Sequence, residues 1–263
     1  MNSIPVYLVD AFTDRIFGGN PAAVCPLPAW LPDEILQVIT IEHNQSETAF
    51  FVPTPDGFEI RWFTILDEIN LCGHATLASA HVIFNHLSYP KNEVHFTTRF
   101  SGDLTVKKED GWLTLDFPSW PPQAINKIPD AAIAGLGGAR PQQSYLKRDY
   151  MFVFPNQDDI INIKPDFKIL GQLGRSTCIT APGKDCDFVS RSFWPGDAVE
   201  EDPATGSTHS MLVPYWAERL GKNKLFARQL SKRGGEFHCL LQDERVMISG
   251  QAQTYMSGTI YLP

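Results

Sequence analysis

Two patterns of hydrophobic and polar residues alternate along the chain. Short segments rich in β-branched and aromatic residues, bounded by Gly, Pro and Asp, predict strands. These strands cover residues 4–9, 48–52, 59–63, 93–98, 103–108, 112–117, 151–154, 186–193, 225–230, 237–248 and 254–262. Longer runs predict helices over residues 32–43, 73–87 and 206–220. Many strands and few helices predict an α+β fold, with a mostly antiparallel sheet curled around one central helix in each half.

The predicted helices differ in the faces that they can bury. Residues 73–87 are apolar on nearly all sides, which predicts a helix buried on most faces. Residues 32–43 instead begin with the proline and acids that are typical of a first helical turn. Pro214 lies inside the third helix, where we expect a kink.

Two distant stretches of the chain, residues 61–76 and 191–208, resemble each other. Each begins with Arg-x-Phe, passes through an acidic patch and reaches a glycine that opens an apolar, helix-like run. A repeated strand–turn–helix unit predicts two similar halves with a site in the cleft between them. The proline-rich segment 118–122 marks the boundary, so we expect one half over residues 1–118, completed by the last strand near 255–263, and another over 119–254.

Composition narrows the class of protein. The chain has 263 residues, 43% of them hydrophobic and 20% charged, with a formal net charge of −8. This charge argues against a nucleic-acid partner. The first residues lack the pattern of a signal peptide, and no apolar stretch is long enough to cross a bilayer. Five cysteines without a C-x-x-C pair are typical of reduced thiols, so we expect a soluble cytoplasmic protein that binds no membrane.

The glycines at the two predicted helix starts are candidates for ligand binding. Gly73 and Gly206 would leave first-turn N–H groups and the positive end of the helix dipole facing a ligand, an arrangement that binds carboxylates. Either glycine alone would be explained by tight packing of a helix against a sheet. The matched pair favours an acidic small molecule as the ligand.

Three side chains near these glycines could transfer protons. Glu47 precedes an apolar strand, where it is either a solvated acid or a partly desolvated carboxylate with a raised pKa. His74 could pack in the core or relay a proton. Asp202 precedes a proline, in a position typical of an N-terminal helix cap. The residues alone leave these alternatives open.

Other catalytic patterns are missing. The segment 205–209 lacks the second glycine of a G-x-S-x-G elbow, which disfavours a serine hydrolase. Cys72 and His74 alone are a weak zinc signal, and the glycines at 135–138 lack the context of a dinucleotide site. We therefore expect no metal and no organic cofactor.

Four segments give the chain a family resemblance. They are residues 9–24, 46–50, 72–76 and 201–207, and they span nearly the whole chain. At these residues the chain resembles the PhzF-like family, named for the phenazine biosynthesis isomerase, within the diaminopimelate epimerase-like superfamily. The resemblance implies two barrel-like domains, each wrapped around a central helix, and a cofactor-free isomerase that is usually a homodimer.

The resemblance also implies roles for individual residues. The acid/base glutamate of the family falls on Glu47, and its assisting histidine and aspartate fall on His74 and Asp202. The substrate-holding residues fall on Gly73, Gly206 and Ser207, and the pocket residues on Asn20 and Ser46. The chain departs from the family pattern at Ile65, where a proline is common, and at Thr208, where an alanine is favoured.

Related epimerases use two thiols, one from each helix start. Cys72 could supply one, but the second stretch has no cysteine, which disfavours this mechanism and makes Cys72 a packed core thiol. Our main hypothesis is therefore a cofactor-independent isomerase that moves a proton on a small unsaturated carboxylate. The alternatives are an epimerase or racemase that uses Cys72 with a non-thiol partner, and a non-catalytic small-molecule binder. We expect substrate specificity to come from loops over residues 137–149 and 156–166.

Overall fold

The computed structural model describes residues 2–197 and 199–262. The chain divides into two compact units. The first comprises Met1–Asp116 together with Ser249–Pro263, and the second comprises Phe117–Ile248. The first unit is thus discontinuous in sequence, and the second is continuous.

The elements follow one another along the chain in this order. The first part contains β1 (Asn2–Ala11), β2 (Asn20–Pro26), α1 (Asp33–His43), β3 (Thr48–Thr54), β4 (Gly57–Phe63), β5 (Glu68–Ile69), α2 (Gly73–His86), β6 (Glu93–Thr98), β7 (Asp103–Glu109) and β8 (Trp112–Pro118). Then come β9 (Gln123–Ala124), α3 (Asp130–Gly135), β10 (Gln143–Leu146), β11 (Tyr150–Val153), α4 (Gln157–Asn162), α5 (Phe167–Leu170) and a 3₁₀ turn (Gly171–Leu173). The last are β12 (Thr177–Pro182), β13 (Phe188–Phe193), β14 (Glu201–Asp202), α6 (His209–Leu220), β15 (Lys224–Gln229), β16 (Gly235–Gln242), β17 (Arg245–Gly250) and β18 (Ala252–Leu262).

The two units repeat the same order of strand pairing. In the first unit β1–β2, β3–β4, β4–β5 and β6–β7 are antiparallel, whereas β2–β3 and β4–β6 are parallel. In the second unit β10–β11, β12–β13, β13–β14 and β15–β16 are antiparallel, whereas β11–β12 and β13–β15 are parallel. The prediction of an α+β fold with two similar halves is therefore confirmed.

Helix α2 is the core of the first unit. Every residue from Gly73 to Ala80 is buried, as the apolar pattern predicted, and the helix packs against β1, β2, β3, β7 and β18. Strand β1 pairs with β2 along one edge and with β18 along the other, where Asn2 lies opposite Leu262. The sheet can curl around α2 because the helix offers apolar side chains in every direction.

Helix α6 holds the corresponding place in the second unit. Its Trp216 is fully buried, stacks on Phe188 with ring centroids 5.6 Å apart, and donates from Nε1 to Thr180 Oγ1 at 2.9 Å. The hydrogen bond satisfies the one polar atom of the indole, so the ring can be buried without loss.

The repeated Arg-x-Phe and acidic patch form the same ion pair in both units. Arg61 makes two hydrogen bonds to Glu68, both 2.7 Å long, and Arg191 makes two to Glu201, of 2.7 and 2.9 Å. Each guanidinium also lies over the phenylalanine two residues later, at 5.0 and 5.1 Å from the ring centroid. This part of the repeat therefore fixes the short strands β5 and β14 to the sheet.

One predicted strand is in fact two. Residues 237–248 were expected to form a single strand, but β16 ends at Gln242 and β17 begins at Arg245. Asp243, with a φ of 52°, makes the tight turn between them. Asp tolerates the left-handed conformation better than most residues, so the chain can reverse here. The alternation of apolar and polar residues continues through the turn and does not mark it.

Helix α6 begins later than predicted. The sequence placed its start at Gly206, but the helix begins at His209. The main-chain N–H of His209 bonds to the Gly206 carbonyl at 3.0 Å, and its ring Nδ1 lies 2.9 Å from the Thr205 carbonyl. The Thr205 carbonyl accepts from the imidazole, and the main-chain N–H of His209 bonds to the carbonyl three residues back instead of four. The turn before α6 is therefore of the 3₁₀ type.

The segments that were expected to be specificity loops contain regular structure. Residues 137–149 include β10, and residues 156–166 include α4. Strand β12 was not predicted at all. Within the described residues, no helix has the length and apolar character needed to cross a membrane. All five cysteines are free.

Candidate functional site

Glu47 is held where a helix changes into a strand. Asn44 ends α1 in the left-handed conformation, and β3 begins at Thr48. The Glu47 carbonyl accepts a hydrogen bond of 3.2 Å from the N–H of Ala23 in β2. The backbone of Glu47 is thus fixed to the sheet, so its side chain has a defined direction.

His74 lies between two of the predicted site residues. It is the second residue of α2, and its Nε2 lies 3.1 Å from Oε2 of Glu47. Its Nδ1 lies 3.1 Å from Nδ2 of Asn20, the first residue of β2. The side chain of His74 is 7% exposed and that of Glu47 is 19% exposed. Elements α2, β2 and β3 therefore bring three of the predicted residues together.

The pKa of Glu47 is lowered, which corrects the sequence-based expectation of a raised pKa. Burial alone would raise it, but the charge and hydrogen bond of His74, with a smaller contribution from the Ser46 hydroxyl, outweigh burial. Burial likewise would lower the pKa of His74, yet the ionised Glu47 carboxylate beside it raises that pKa above the usual value. At neutral pH Glu47 is therefore ionised beside His74, and it is ready to accept a proton.

Asn20 controls the orientation of the imidazole. Its amide can present either NH₂ or oxygen to Nδ1 by rotating about one bond. It can therefore donate to Nδ1 of the neutral ring or accept from Nδ1–H of the cationic ring. Nε2 on the other side of the ring lies 3.1 Å from the Glu47 carboxylate. Asn20 is fully buried, which prevents water from replacing it.

Cys72 belongs to this group of residues, so its interpretation as a packed core thiol is incomplete. Its sulfur lies 3.5 Å from Nδ1 and 4.0 Å from Nε2 of His74. Burial raises the pKa of the thiol, and the nearby carboxylate of Glu47 acts in the same direction. Cys72 is therefore a neutral thiol in the folded protein, poor as a nucleophile or metal ligand.

Glu47, Cys72 and His74 are also the group that could hold a metal ion among the described residues. Their ligand atoms lie within 4.8 Å of one another. Glu47 Oε2 lies 3.1 Å from Nε2 of His74, and the Cys72 sulfur lies 4.0 Å from the same nitrogen. Burial raises the pKa of the Cys72 thiol, so this group would have to lose its proton against that preference before it could bind a metal.

Two further predicted residues lie beside this group. Gly73 begins α2, and the first helical hydrogen bond is made by the N–H of Thr76 to the Cys72 carbonyl at 3.1 Å. The N–H groups of Gly73 and His74 precede that bond and can donate to a ligand. The Ser46 hydroxyl is buried next to Glu47, where it helps to keep the pKa of that carboxyl low.

The remaining predicted residues, Asp202, Gly206 and Ser207, belong to the second unit. Asp202 ends β14, and its carboxylate accepts a hydrogen bond from the Thr205 hydroxyl. It does not cap α6, as the sequence suggested, because the residue at the N-cap is Thr208. Gly206 and Ser207 form the tight turn before the helix.

Comparison with known proteins identifies the family. The sequence profile of the phenazine biosynthesis-like protein family, PhzC-PhzF, matches residues 9–258. The chain belongs to the phenazine biosynthesis-like family. It is 46% identical over 261 residues to an uncharacterized isomerase of Pseudomonas aeruginosa, an alignment that covers 98% of this chain and 99% of that protein.

Solved structures place this phenazine biosynthesis-like protein among known folds. It is similar to a crystal structure of a PhzF family protein from Enterococcus faecalis, with a TM-score of 0.96, 44% identity, and coverage of 99% of this chain and 100% of the other. A probable proline racemase from Agrobacterium radiobacter shares the fold, with a TM-score of 0.65 and 12% identity over 99% of this chain and 93% of that one. The predicted family is confirmed, and the chain is an enzyme of the isomerase class.

One residue that contacts Asp202 and Thr205 was not predicted from the sequence. Gln229, at the end of β15, hydrogen-bonds to both Asp202 and Thr205. It lies far from the family motif along the chain, and no local pattern marks it. Only the register of β13 against β15, which places Gln229 opposite Ser190, reveals it.

Proposed function

We propose that this phenazine biosynthesis-like protein moves a proton between two carbons of a small unsaturated carboxylate, without a cofactor, and that Glu47 is the acid/base. The observation that carries the proposal is the buried pair of Glu47 and His74, oriented by Asn20. A carboxylate that is ionised yet shielded from water is suited to removing a proton from carbon. His74 beside it can stabilise that charge and exchange the proton.

The reaction balances with the residues of the chain alone. The Glu47 carboxylate takes a proton from a carbon activated by the conjugated system, and the electron pair moves toward the substrate carboxylate. N–H groups of Gly73 and His74 would stabilise the developing negative charge. Protonated Glu47, or His74 through it, returns the proton to another carbon, which shifts the double bond and restores the enzyme.

The second unit contributes to this proposal through the family resemblance. Asp202 would assist the proton transfer, and Gly206 and Ser207 would hold the substrate carboxylate. The resemblance also suggests a homodimer in the cytoplasm, which sedimentation of the purified protein and fractionation of cells would test.

The first test is incorporation of solvent deuterium. The wild-type protein and the Glu47→Gln variant would be incubated in D₂O with small unsaturated and amino carboxylic acids, including the dihydroxy-type precursor of the phenazine pathway, and analysed by mass spectrometry and a product assay. We expect product only with the wild type, and a loss of about 10²–10⁴-fold in turnover in the variant. Glu93→Gln, which removes a half-buried acid paired with His95 and Lys107, is the matched control. Full turnover in Glu47→Gln would reject the role of Glu47.

The position of Cys72 keeps one alternative open. Its sulfur contacts the same imidazole as Glu47 does, so an epimerase that uses Cys72 with a non-thiol partner also fits the first unit. In that case Cys72→Ala would abolish exchange at a stereocentre while Glu47→Gln retained it. A non-catalytic binder would bind members of the panel tightly and transform none of them.

A further inference from the structure

Gln229 joins three parts of the segment that carries Asp202. Its side-chain oxygen accepts the N–H of Thr205 at 2.9 Å. Its Nε2 donates to the Asp202 carbonyl at 2.6 Å and to the Thr205 hydroxyl at 3.1 Å. Gln229 is 1% exposed, so these bonds do not compete with water.

The direction of each hydrogen bond in this group is determined. A main-chain N–H can only donate, so the atom of Gln229 that receives it must be the amide oxygen. The amide nitrogen therefore faces the Thr205 hydroxyl and must donate to it. The single hydroxyl hydrogen of Thr205 is then available to the Asp202 carboxylate, with which it makes a short contact. Gln229, Thr205 and Asp202 form a one-way chain of donors that ends on the Asp202 carboxylate.

Comparison of the two units shows which contacts around Asp202 also occur at the equivalent place in the first unit. The Ser231 hydroxyl donates to the Pro203 carbonyl at 2.7 Å, and in the first unit the Ser101 hydroxyl donates to the Asn70 carbonyl at 2.9 Å. Both carbonyls lie two residues beyond the glutamate that pairs with the motif arginine. This serine contact is therefore part of the fold in both units.

The glutamine contact is not repeated. Gln229 lies opposite Ser190, the residue before the motif arginine, and the same position in the first unit is Thr98, opposite Ile60. The Thr98 hydroxyl donates to the Gly102 carbonyl within its own turn, at 2.7 Å. The glutamine thus occurs in the unit that carries Asp202, and the fold does not require it at the equivalent place.

We propose that Gln229 is a positioning residue that acts through the Thr205 hydroxyl to hold the Asp202 carboxylate ionised and in one orientation. This inference rests on the role of Asp202 in the proposed function. Gln229 touches no reacting atom in this scheme. Its effect on the carboxylate passes through the Thr205 hydroxyl, while its bonds to the Asp202 carbonyl and the Thr205 N–H hold the main chain of the segment.

The chain can be broken without changing the shape of the residues. In Gln229→Glu the new carboxylate can no longer donate, so the Thr205 hydroxyl turns toward it and leaves Asp202. Thr205→Val removes the hydroxyl at nearly constant side-chain volume. This variant tests the same link if the buried charge of Gln229→Glu prevents folding. Thr205→Ser keeps the hydroxyl and should therefore behave as the wild type does. Ser231→Ala removes the contact common to both units and is the matched structural control.

The first readout needs no substrate. The full-length protein would be labelled with ¹³C at aspartate carboxyl groups, the Asp202 resonance assigned by its loss in Asp202→Asn, and its chemical shift followed against pH. In Thr205→Val and Gln229→Glu we expect the titration midpoint to rise by about one pH unit, because the ionised form has lost a donor. Thr205→Ser and Ser231→Ala should titrate as the wild type does. An unchanged midpoint in both chain-breaking variants would overturn the inference, whatever the reaction is.

The second readout is turnover of the substrate that the deuterium assay identifies. Breaking the chain should lower kcat by about tenfold or more with KM nearly unchanged, since one hydrogen bond to a charged group is lost. The double variant Gln229→Glu/Thr205→Val should lower kcat by less than the product of the two single effects, because both changes break the same link to the carboxylate. A moved midpoint with unchanged kcat would overturn the positioning role while Glu47 remained the acid/base. Full turnover in Glu47→Gln would instead reject the reaction and leave the NMR result standing.

Discussion

His209 makes the stability of the protein depend on pH in a way that can be calculated. The side chain is fully buried, stacks on Phe237 with ring centroids 3.9 Å apart, and bonds through Nδ1 to the Thr205 carbonyl. Burial lowers its pKa from 6.5 to about 4, although the bond to Thr205 acts in the opposite direction. The imidazole is therefore neutral in the folded protein over most of the acidic range.

The sign and size of the effect follow from linkage. Above pH 6.5 the imidazole is neutral in both folded and unfolded chains and contributes nothing. Between pH 6.5 and about 4 only the unfolded chain binds the proton, so unfolding becomes more favourable as the pH falls. At about 1.4 kcal/mol per pH unit, the loss reaches about 3 kcal/mol near pH 4 and then levels off.

The effect can be isolated with the variant His209→Asn, whose amide nitrogen can replace Nδ1 as donor but does not titrate. Urea unfolding of both proteins would be measured between pH 7.5 and 4, and the free energies of unfolding subtracted, which cancels the other titrating groups. The advantage of the wild type should shrink by about 3 kcal/mol on acidification. A difference that stays constant within about 0.5 kcal/mol over this range would refute the reasoning, since a buried neutral histidine must produce it.

Three other predictions concern single side chains. Arg191→Lys should cost about 3 kcal/mol of unfolding free energy, because lysine cannot make the paired bonds to its glutamate and also reach two buried carbonyls. Arg228→Lys, at an exposed pair, should cost less than about 0.5 kcal/mol in the same urea titration. In native protein at pH 7.5 iodoacetamide should modify Cys186 before Cys72, because Cys186 is partly exposed whereas Cys72 is buried; peptide mapping that found the reverse order would contradict the site geometry. Asn20→Leu should lower kcat by about tenfold, because the imidazole loses its orienting partner, and an unaltered kcat would show that the ring is held otherwise.

The sequence predicts most reliably the features that depend on local pattern. Helix α2 begins at Gly73 as expected, since its apolar character on all faces is a property of the segment itself. The start of α6 was misplaced because the His209 ring takes a carbonyl that a main-chain N–H would normally take. That competition depends on side-chain geometry, which hydrophobic spacing does not encode.

In the candidate site, too, the sequence predicts the residues of local motifs better than the contacts made in the folded protein. The motifs identified Glu47 and His74 as neighbours in function, and the structure brings them to 3.1 Å. The direction of the pKa shift of Glu47 was wrong because burial was considered without the imidazole beside it. Gln229 could not be found at all, since its place beside Asp202 is created by a parallel strand pairing.

The pairing of β1 with β18 has a consequence for how the protein is made. The first unit contains the first and the last strands of the chain, and the second unit lies between them in sequence. Because β18 follows the second unit in sequence, β1 has no β18 to pair with until the whole second unit has been synthesised. His81 and His86 of α2 both hydrogen-bond to Thr254 in β18. The helix that carries His74 therefore gains these two contacts only after the whole of the second unit has been synthesised.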